Sequence, residues 1–166
     1  MKKILIPTDF SPESLQLVEF ALLNYKETPL DVVLVHGYRL PEIYWEVLNF
    51  SARREIQRLS NPEFHKTRQA LLLEHKAEIH SIRMELFTGN NSISFHNFVT
   101  QLDISDALVP SENFLYYPDR RSFDPTQLIR KSVKEVHEIS LNGKVREVRT
   151  VLPFEFFLVG IPCNMN

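Results

Sequence analysis

The chain has 166 residues, of which 43% are hydrophobic and 24% are charged. These values are typical of one soluble globular domain, here spanning residues 1–166, whose core forms without metal or disulfide support. The 19 basic and 21 acidic residues leave a net charge of −2. This balance argues against nucleic-acid binding and against binding to an anionic membrane, because both depend on excess positive charge.

A single cysteine, Cys163, leaves no pair for an internal disulfide bond and suits a reducing compartment. Residues 1–7 combine basic and apolar side chains, but Asp9 interrupts the apolar run too early for a signal peptide. No window approaches the roughly 18 apolar residues of a membrane span. We therefore expect a soluble, cytoplasmic protein.

The first 37 residues predict a strand, a helix and a second strand. Residues 3–7 form an apolar run, as in a strand that is covered on both faces. Ser11 is a suitable N-cap, Pro12 suits the first helical position, and Pro29 ends the helix. Residues 31–37 are rich in β-branched side chains. Two buried strands joined by a helix predict a right-handed parallel βαβ unit.

The middle of the chain predicts two helices, a strand, a short helix and another strand. Apolar spacing places the two helices at about 41–59 and 62–77. Residues 79–88 alternate partly between apolar and polar side chains, which favours a strand at a sheet edge. A short helix over about 92–102 precedes a brief fourth strand at 105–110.

The last third of the chain begins with a loop of about a dozen residues. Asp124 and Pro125 then start a helix with its apolar side chains on one side: Leu128, Ile129, Val133 and Val136. Asn142 and Gly143 either end this helix or begin a turn. Residues 145–152 and 154–161 both have strand character and are separated by a proline. They fit either a hairpin or a fifth strand followed by an arm.

The opening of the chain resembles that of universal stress proteins, in which a first strand ends in an aspartate and a serine begins the following helix. Residues 1–14, with Asp9 and Ser11, carry this resemblance. Residues 32–36, which end in a histidine, are similar to the second strand of that family, and residues 87–109 are similar to its third and fourth strands. The resemblance implies an open, mostly parallel five-stranded α/β sheet of order 3-2-1-4-5. Helices cover both faces, as in the Rossmann-like adenine nucleotide alpha hydrolases.

The resemblance also places a ligand crevice at the carboxyl edge of the sheet, where the strand order reverses between strands 1 and 4. In ATP-binding members, a segment Gly-x2-Gly-x9-Gly-[Ser/Thr] follows strand 4 and binds phosphate through backbone N–H groups. This chain has no glycine between Gly89 and Gly143, and its loop after strand 4 is bulky and aromatic. Glu112 in that loop repels phosphate. We therefore predict that ATP does not bind.

Six residues are the candidates for a retained nucleotide site: Pro7, Thr8, Asp9, His36, Arg120 and Arg121. Asp9 either contacts a ribose or base, as its family counterpart does, or orders the turn before the helix. His36 either lines the crevice or is a buried structural histidine. The two arginines either hold an anion in place of the glycine loop or are solvated.

The sequence offers no catalytic residue, metal site or cofactor, and enzymatic activity is not expected. The six histidines lack the spacing of a metal motif, and no Gly-x-Ser-x-Gly elbow is present. We expect the apolar loop side chains to pack over the empty crevice and fill it: Phe114, Leu115, Tyr116 and Tyr117.

The leading hypothesis is a non-catalytic, stress-related or regulatory protein that acts through self-association or through a protein partner. The alternative is a divergent adenine-nucleotide binder that uses the crevice at Asp9. Residues 145–161 are rich in apolar and aromatic side chains, and family members commonly pair through strand 5. This segment therefore predicts a homodimer, unless its phenylalanines fold back onto their own domain.

Overall fold

The computed structural model describes residues 1–140 and the backbone of residues 145–149. Its strands form one sheet of order β3-β2-β1-β4-β6-β7, and the short β5 pairs with β2 beside this path. The strands are β1 (Lys2–Pro7), β2 (Leu30–Tyr38), β3 (Ile79–Phe87), β4 (Asp106–Pro110), β5 (Ser122–Phe123), β6 (Glu135–Ile139) and β7 (Val145–Arg149).

Helices connect most of these strands, as expected for parallel pairing. A 3₁₀ turn (Pro12–Leu15) leads into the first helix. The helices are α1 (Gln16–Asn24), α2 (Tyr44–Leu48), α3 (Ala52–Leu59), α4 (Pro62–Glu74), α5 (Ser92–Gln101) and α6 (Thr126–Ser132). None of these helices has the length and apolarity needed to cross a lipid bilayer.

The predicted parallel pairing of the first two strands is confirmed, with Ile4 opposite Val32 and Ile6 opposite Leu34. All nine residues of β2 are buried, which explains why its sequence is almost continuously apolar. Successive side chains point to opposite faces, so Ile4 and Leu5 belong to two different hydrophobic clusters. Helices therefore cover both faces of the sheet, as the α/β prediction required.

The fifth parallel strand lies where the sequence analysis predicted a helix. The helix that starts near Asp124 ends at Ser132, and residues 135–139 form β6, parallel to β4. The prediction that Val133 and Val136 belong to this helix is wrong; their spacing of three residues also fits a helical face. Pairing with β4 instead buries Val136 completely.

The five parallel strands thus have the predicted order, with β6 in the fifth position. Residues 145–149 form an additional strand, antiparallel to β6. The predicted second strand segment, 154–161, lies outside the described residues. The predicted helix over 41–59 is two short helices, α2 and α3, separated near Phe50. The expected edge position of the third strand is confirmed.

The two-residue strand β5 was not predicted, and it brings the loop after β4 against the end of β2. Gly37 pairs with Phe123, and Tyr38 pairs with Ser122. A Cβ atom on Gly37 would lie 2.5 Å from the carbonyl oxygen of Phe123. Glycine therefore permits the close approach of two backbones that fixes one end of the loop.

Candidate functional site

The candidate site is the crevice at the carboxyl ends of β1 and β2, beside the point where the strand order reverses. Pro7 ends β1 opposite Val35 and is buried. Thr8 is also buried, and its hydroxyl group contacts the Ser14 hydroxyl group at 2.8 Å and accepts a hydrogen bond from the Phe10 N–H at 3.0 Å. These two residues form the floor of the crevice. Neither offers a free polar group to a ligand, because proline has no polar side chain and the Thr8 hydroxyl group is already hydrogen-bonded.

Asp9 has hydrogen-bond donors from its own chain on both carboxylate oxygens. Its Oδ1 accepts from the Ser11 N–H at 2.9 Å and from the Ser11 hydroxyl group at 2.5 Å. Its Oδ2 accepts from the Tyr116 N–H at 2.9 Å, across 107 residues of sequence. The geometry favours the interpretation of Asp9 as a residue that orders the turn, and it adds a second role, attachment of the distant loop.

The turn at Asp9 also sets the position of an aromatic ring. Phe10 has a φ of 61°, in the left-handed region that residues other than glycine rarely adopt. This conformation turns the Phe10 ring into the core, where it is 1% exposed and stacks on His36 with a centroid distance of 4.6 Å. Phe64 from α4 meets the same ring edge-on at 5.6 Å.

His36 uses both ring nitrogens within the protein. Its Nδ1 lies 2.9 Å from the carbonyl oxygen of Thr8, and its Nε2 lies 2.7 Å from the Ser122 hydroxyl oxygen. A carbonyl oxygen only accepts, so Nδ1 donates and Nε2 accepts from Ser122. Burial lowers the pKa of His36, against a smaller opposing effect of the Thr8 carbonyl group, and so favours the neutral form of the ring.

The loop of residues 111–121 covers this crevice. The Tyr117 ring lies 5.2 Å from the His36 ring, and its buried hydroxyl group has no hydrogen-bond partner. Phe114 and Leu115 pack against the core, as predicted, whereas the Tyr116 side chain is 75% exposed. The expectation that Tyr116 also packs inward is wrong, because its backbone N–H is the group that faces Asp9.

An ion-pair network attaches the far end of the loop to α3. The Arg58 guanidinium donates to Asp119 Oδ2 at 2.9 Å and to Glu55 Oε2 at 2.7 Å. Burial alone would raise the pKa of Asp119, but hydrogen bonds from the Arg121 N–H and from Arg58 outweigh it and lower the pKa. The loop is therefore held at Asp9, at Arg58 and by β5.

The two candidate arginines lie at the end of this loop. Arg121 forms an ion pair with Glu46 of α2 at 3.6 Å, and its carbonyl oxygen accepts from the Arg39 N–H at 2.7 Å. Arg120 is exposed. The guanidinium group of Arg121 is thus already near a carboxylate, which weakens its attraction for a phosphate group.

A small cleft of about 190 Å³ lies between the end of β4, the loop and α6. This is the region after strand 4 where ATP-binding members of the resembled family place their phosphates. Glu112 and Asp124 line it, and among the described residues its one lining cation is Arg130, which donates to Glu138 at 2.8 Å and to the Pro110 carbonyl oxygen at 3.1 Å. Two carboxylates in this position disfavour an anionic ligand.

An exposed apolar segment projects from the same end of the molecule. We call residues 40–48 the α2 segment; its exposed apolar side chains are Leu40, Ile43, Tyr44, Trp45, Val47 and Leu48. Trp45 is 71% exposed and Tyr44 is 70% exposed. Contiguous exposed apolar side chains of this kind often mark contact surfaces.

With this geometry established, comparison with known proteins identifies the family. The model of the Universal stress protein family matches residues 1–104 of the 166. The chain belongs to the universal stress protein family. The match covers β1 to α5 and stops before the loop that closes the crevice. No curated protein matches the chain.

One solved structure supports the fold of this universal stress protein, and two others show weaker similarity. The hypothetical protein MJ0577, whose function was assigned from its structure, is 17% identical with a TM-score of 0.54, covering 84% of this chain and 95% of that one. The hypothetical protein PH0823 is 21% identical with a TM-score of 0.47, covering 84% and 96%. A universal stress protein in complex with cAMP is 13% identical with a TM-score of 0.40, covering 86% and 98%. At 17% identity, the likeness to MJ0577 shows the fold alone.

Sequence reasoning placed Asp9, His36 and Tyr117 at one crevice but missed several contacts that shape it. Ser122 has no local motif, and its contact with His36 depends on β5, a strand of two residues. Arg58 and Asp119 are 61 residues apart, so only the folded chain brings them together.

The buried Tyr117 hydroxyl group predicts an unusual mutational result. Tyr117→Phe removes a polar group that has no partner, so the free energy of unfolding should stay unchanged or rise by about 1 kcal/mol. Chemical denaturation measures this change. Tyr116→Phe is the matched control and should be neutral because that side chain is exposed. A loss of stability in Tyr117→Phe alone would show that its hydroxyl group is bonded in solution.

Burial of neutral His36 predicts a loss of stability at acidic pH. Its folded-state pKa is lowered from 6.5, so the unfolded chain binds a proton first as the pH falls. The contribution of His36 is therefore present above about pH 6.5 and is lost progressively below it. Denaturation midpoints between pH 7.5 and 5 should fall less in His36→Asn than in the wild type. The exposed control His80→Asn should keep the wild-type slope, and an unchanged slope in His36→Asn contradicts the prediction.

Proposed function

We propose that this universal stress protein is a non-catalytic, cytoplasmic regulatory protein of a single domain that acts through self-association and does not bind ATP. The observation that carries this proposal is that the protein's own loop of residues 111–121 covers the crevice. Both Asp9 carboxylate oxygens accept hydrogen bonds from the chain itself, and Tyr117 lies over His36. A nucleotide must displace these groups before it reaches the sheet.

The loop after β4 adds a second obstacle to phosphate binding. A phosphate site of backbone N–H groups needs glycine, because the chain must approach the ligand closely. No glycine lies between Gly89 and Gly143, and Glu112 and Asp124 line the cleft after β4. Both the backbone chemistry and the charge therefore support a protein without ATP binding.

Self-association is supported by the outer strand of the sheet. β7 pairs with β6 on one side, and its other edge has no strand partner among the residues that the structure describes. Unpaired N–H and C=O groups at such an edge favour pairing with a second strand. The neighbouring sequence to residue 161 is apolar and aromatic. We therefore propose a homodimer with the two copies joined through residues 145–161 across a two-fold axis.

Family membership favours one alternative function, adenine-nucleotide binding at Asp9 after the loop has opened. Between β4 and β5, two side-chain contacts hold the loop over the crevice: the bond from the Tyr116 N–H to Asp9 and the partly exposed ion pair of Arg58 with Asp119. An opened loop exposes Asp9 and His36 to a ligand and frees Arg120 and Arg121 to approach an anion. In this alternative, the loop is displaced by the nucleotide.

Titration with adenine nucleotides separates the two functions. We expect ATP, ADP, AMP and cyclic nucleotides to bind no tighter than the high-micromolar range, on the order of −5 kcal/mol or weaker. Calorimetry and thermal shift measure the affinity. Arg58→Ala is the informative variant because it removes the ion pair that holds the loop. A shift in melting temperature at low-micromolar ATP in the wild type contradicts the proposal, and tighter binding in Arg58→Ala supports the alternative.

Light scattering tests the homodimer. We expect a dimer at tens of micromolar, and deletion of residues 153–166 should yield monomers or insoluble protein. Trp45→Ser in the α2 segment is the control, because this segment follows β2 while the proposed interface lies at β7. This variant should remain dimeric. A monomeric wild type, or a well-folded dimer after the deletion, refutes an interface at residues 145–161.

A further inference from the structure

A second group of functional side chains lies at the amino edge of the sheet, at the opposite ends of the strands from the crevice. Asp106 begins β4, and Glu135 begins β6 directly beside it. His137 follows two residues later on the same strand, so it shares a face with Glu135. The three residues are 31 positions apart at most, and only the parallel pairing of β4 with β6 brings them together.

The ligand-type atoms of Asp106, Glu135 and His137 all lie within 4.8 Å of one another. Nε2 of His137 is 3.9 Å from Oδ2 of Asp106, is buried, and has no hydrogen-bond partner. The Tyr25 ring meets the imidazole edge-on at 5.6 Å and fixes one side of it. A buried imidazole nitrogen thus lies close to the Asp106 carboxylate, beyond hydrogen-bond distance, and within 4.8 Å of a ligand atom of Glu135 if it is the ligand nitrogen of His137.

We propose that Asp106, Glu135 and His137 form a binding site for a divalent transition-metal cation of the Zn²⁺ class. Two carboxylates and one imidazole are a common ligand set for such ions. The bond from such an ion to each ligand atom is roughly 2.0–2.2 Å long. The ligand atoms must therefore lie closer together than the 3.9 Å that separates Asp106 Oδ2 from His137 Nε2. Rotation of the partly exposed His137 and Glu135 side chains would bring the ligand atoms to this separation. No metal site is predicted from the sequence, because the spacing of ligand residues along the chain does not reveal which strands pair.

The Lys2 side chain forms an ion pair with Asp106 at this site. Its ammonium group lies 2.8 Å from Asp106 Oδ2, and the Tyr25 hydroxyl group donates to the same oxygen at 3.0 Å. Asp106 is 2% exposed, so a positive partner is needed to keep it ionised. Lys2 is 34% exposed and sits on a flexible stem, so it is able to turn to solvent when a metal ion arrives. The lysine and the metal ion therefore compete for one carboxylate.

A bound ion at this place joins β4 to β6, the strand that carries β7. The metal would stabilise the outer part of the sheet without involving the crevice at Asp9. The inference is therefore independent of the proposed function, since either can fail while the other holds.

Zn²⁺ titration of the full chain, freed of metal by a chelator, tests the site. The measurements use a Cys163→Ser background so that the thiol group contributes nothing. Calorimetry should show one Zn²⁺ per chain, and Co²⁺ should give a visible absorption band at the same stoichiometry. His137→Gln should weaken binding by about 100-fold or more, since it removes a direct ligand. His80→Gln, at an exposed histidine on β3, is the matched control and should bind as the background does.

Two further variants keep the test decisive. Glu135→Gln should also weaken Zn²⁺ binding, and it decides the question if His137→Gln does not fold by circular dichroism. Lys2→Met should tighten binding, because it removes the competing ammonium group while the remaining ligands are unchanged. Absence of Zn²⁺ binding in the background chain, or folded His137→Gln and Glu135→Gln chains that bind as well as the background, overturns the proposal.

Discussion

The carboxylate of Asp9 joins the two parts of the molecule that define the crevice. One oxygen fixes the turn into the first helix through Ser11, and the other holds the loop through the Tyr116 N–H. Because this turn places Phe10 in the left-handed region, it also positions the ring that stacks on His36. The family resemblance assigns Asp9 to a ligand, but both of its carboxylate oxygens already accept hydrogen bonds from the chain. A ligand at Asp9 must therefore compete with Ser11 and Tyr116 for these oxygens.

The sequence predicts the first half of the sheet well because its strands are buried on both faces. The largely apolar runs at 3–7 and 31–37, the second rich in β-branched residues, favour central strands. Residues 133–139 are different, because the spacing of Val133 and Val136 is compatible with both a helix and a short strand. The strand forms because it pairs with β4. β5 has no sequence signal at all; its existence follows from the close approach that Gly37 allows.

The crevice is easier to predict from the sequence than the cluster of Asp106, Glu135 and His137. The crevice residues follow strand ends, so their shared location is predictable from the βαβ pattern and the position of strand reversal. What sequence leaves open is whether Asp9 is free, because its partner Tyr116 is 107 residues away. The cluster at Asp106 is harder still, since it requires the pairing partner of β4. That partner lies in a segment whose pattern predicted a helix.

The inward-packed side chains of the loop carry most of the energetic cost of opening it, and these are Phe114, Leu115 and Tyr117. The ion pair of Arg58 with Asp119 involves an arginine side chain that is 51% exposed, and a pair of this kind contributes roughly 0–1 kcal/mol. Burial of a large aromatic ring contributes about 1.5–3 kcal/mol, reduced here by the hydroxyl group that finds no partner. A nucleotide must therefore replace the contact of Tyr117 with His36, and the polar contacts at either end of the loop are the smaller barrier.

An adenine ring that stacks where the Tyr117 ring now lies would recover part of this energy, whereas the phosphates would still meet Glu112 and Asp124. The carboxylates after β4 therefore oppose the phosphates of ATP more strongly than they oppose an uncharged nucleoside.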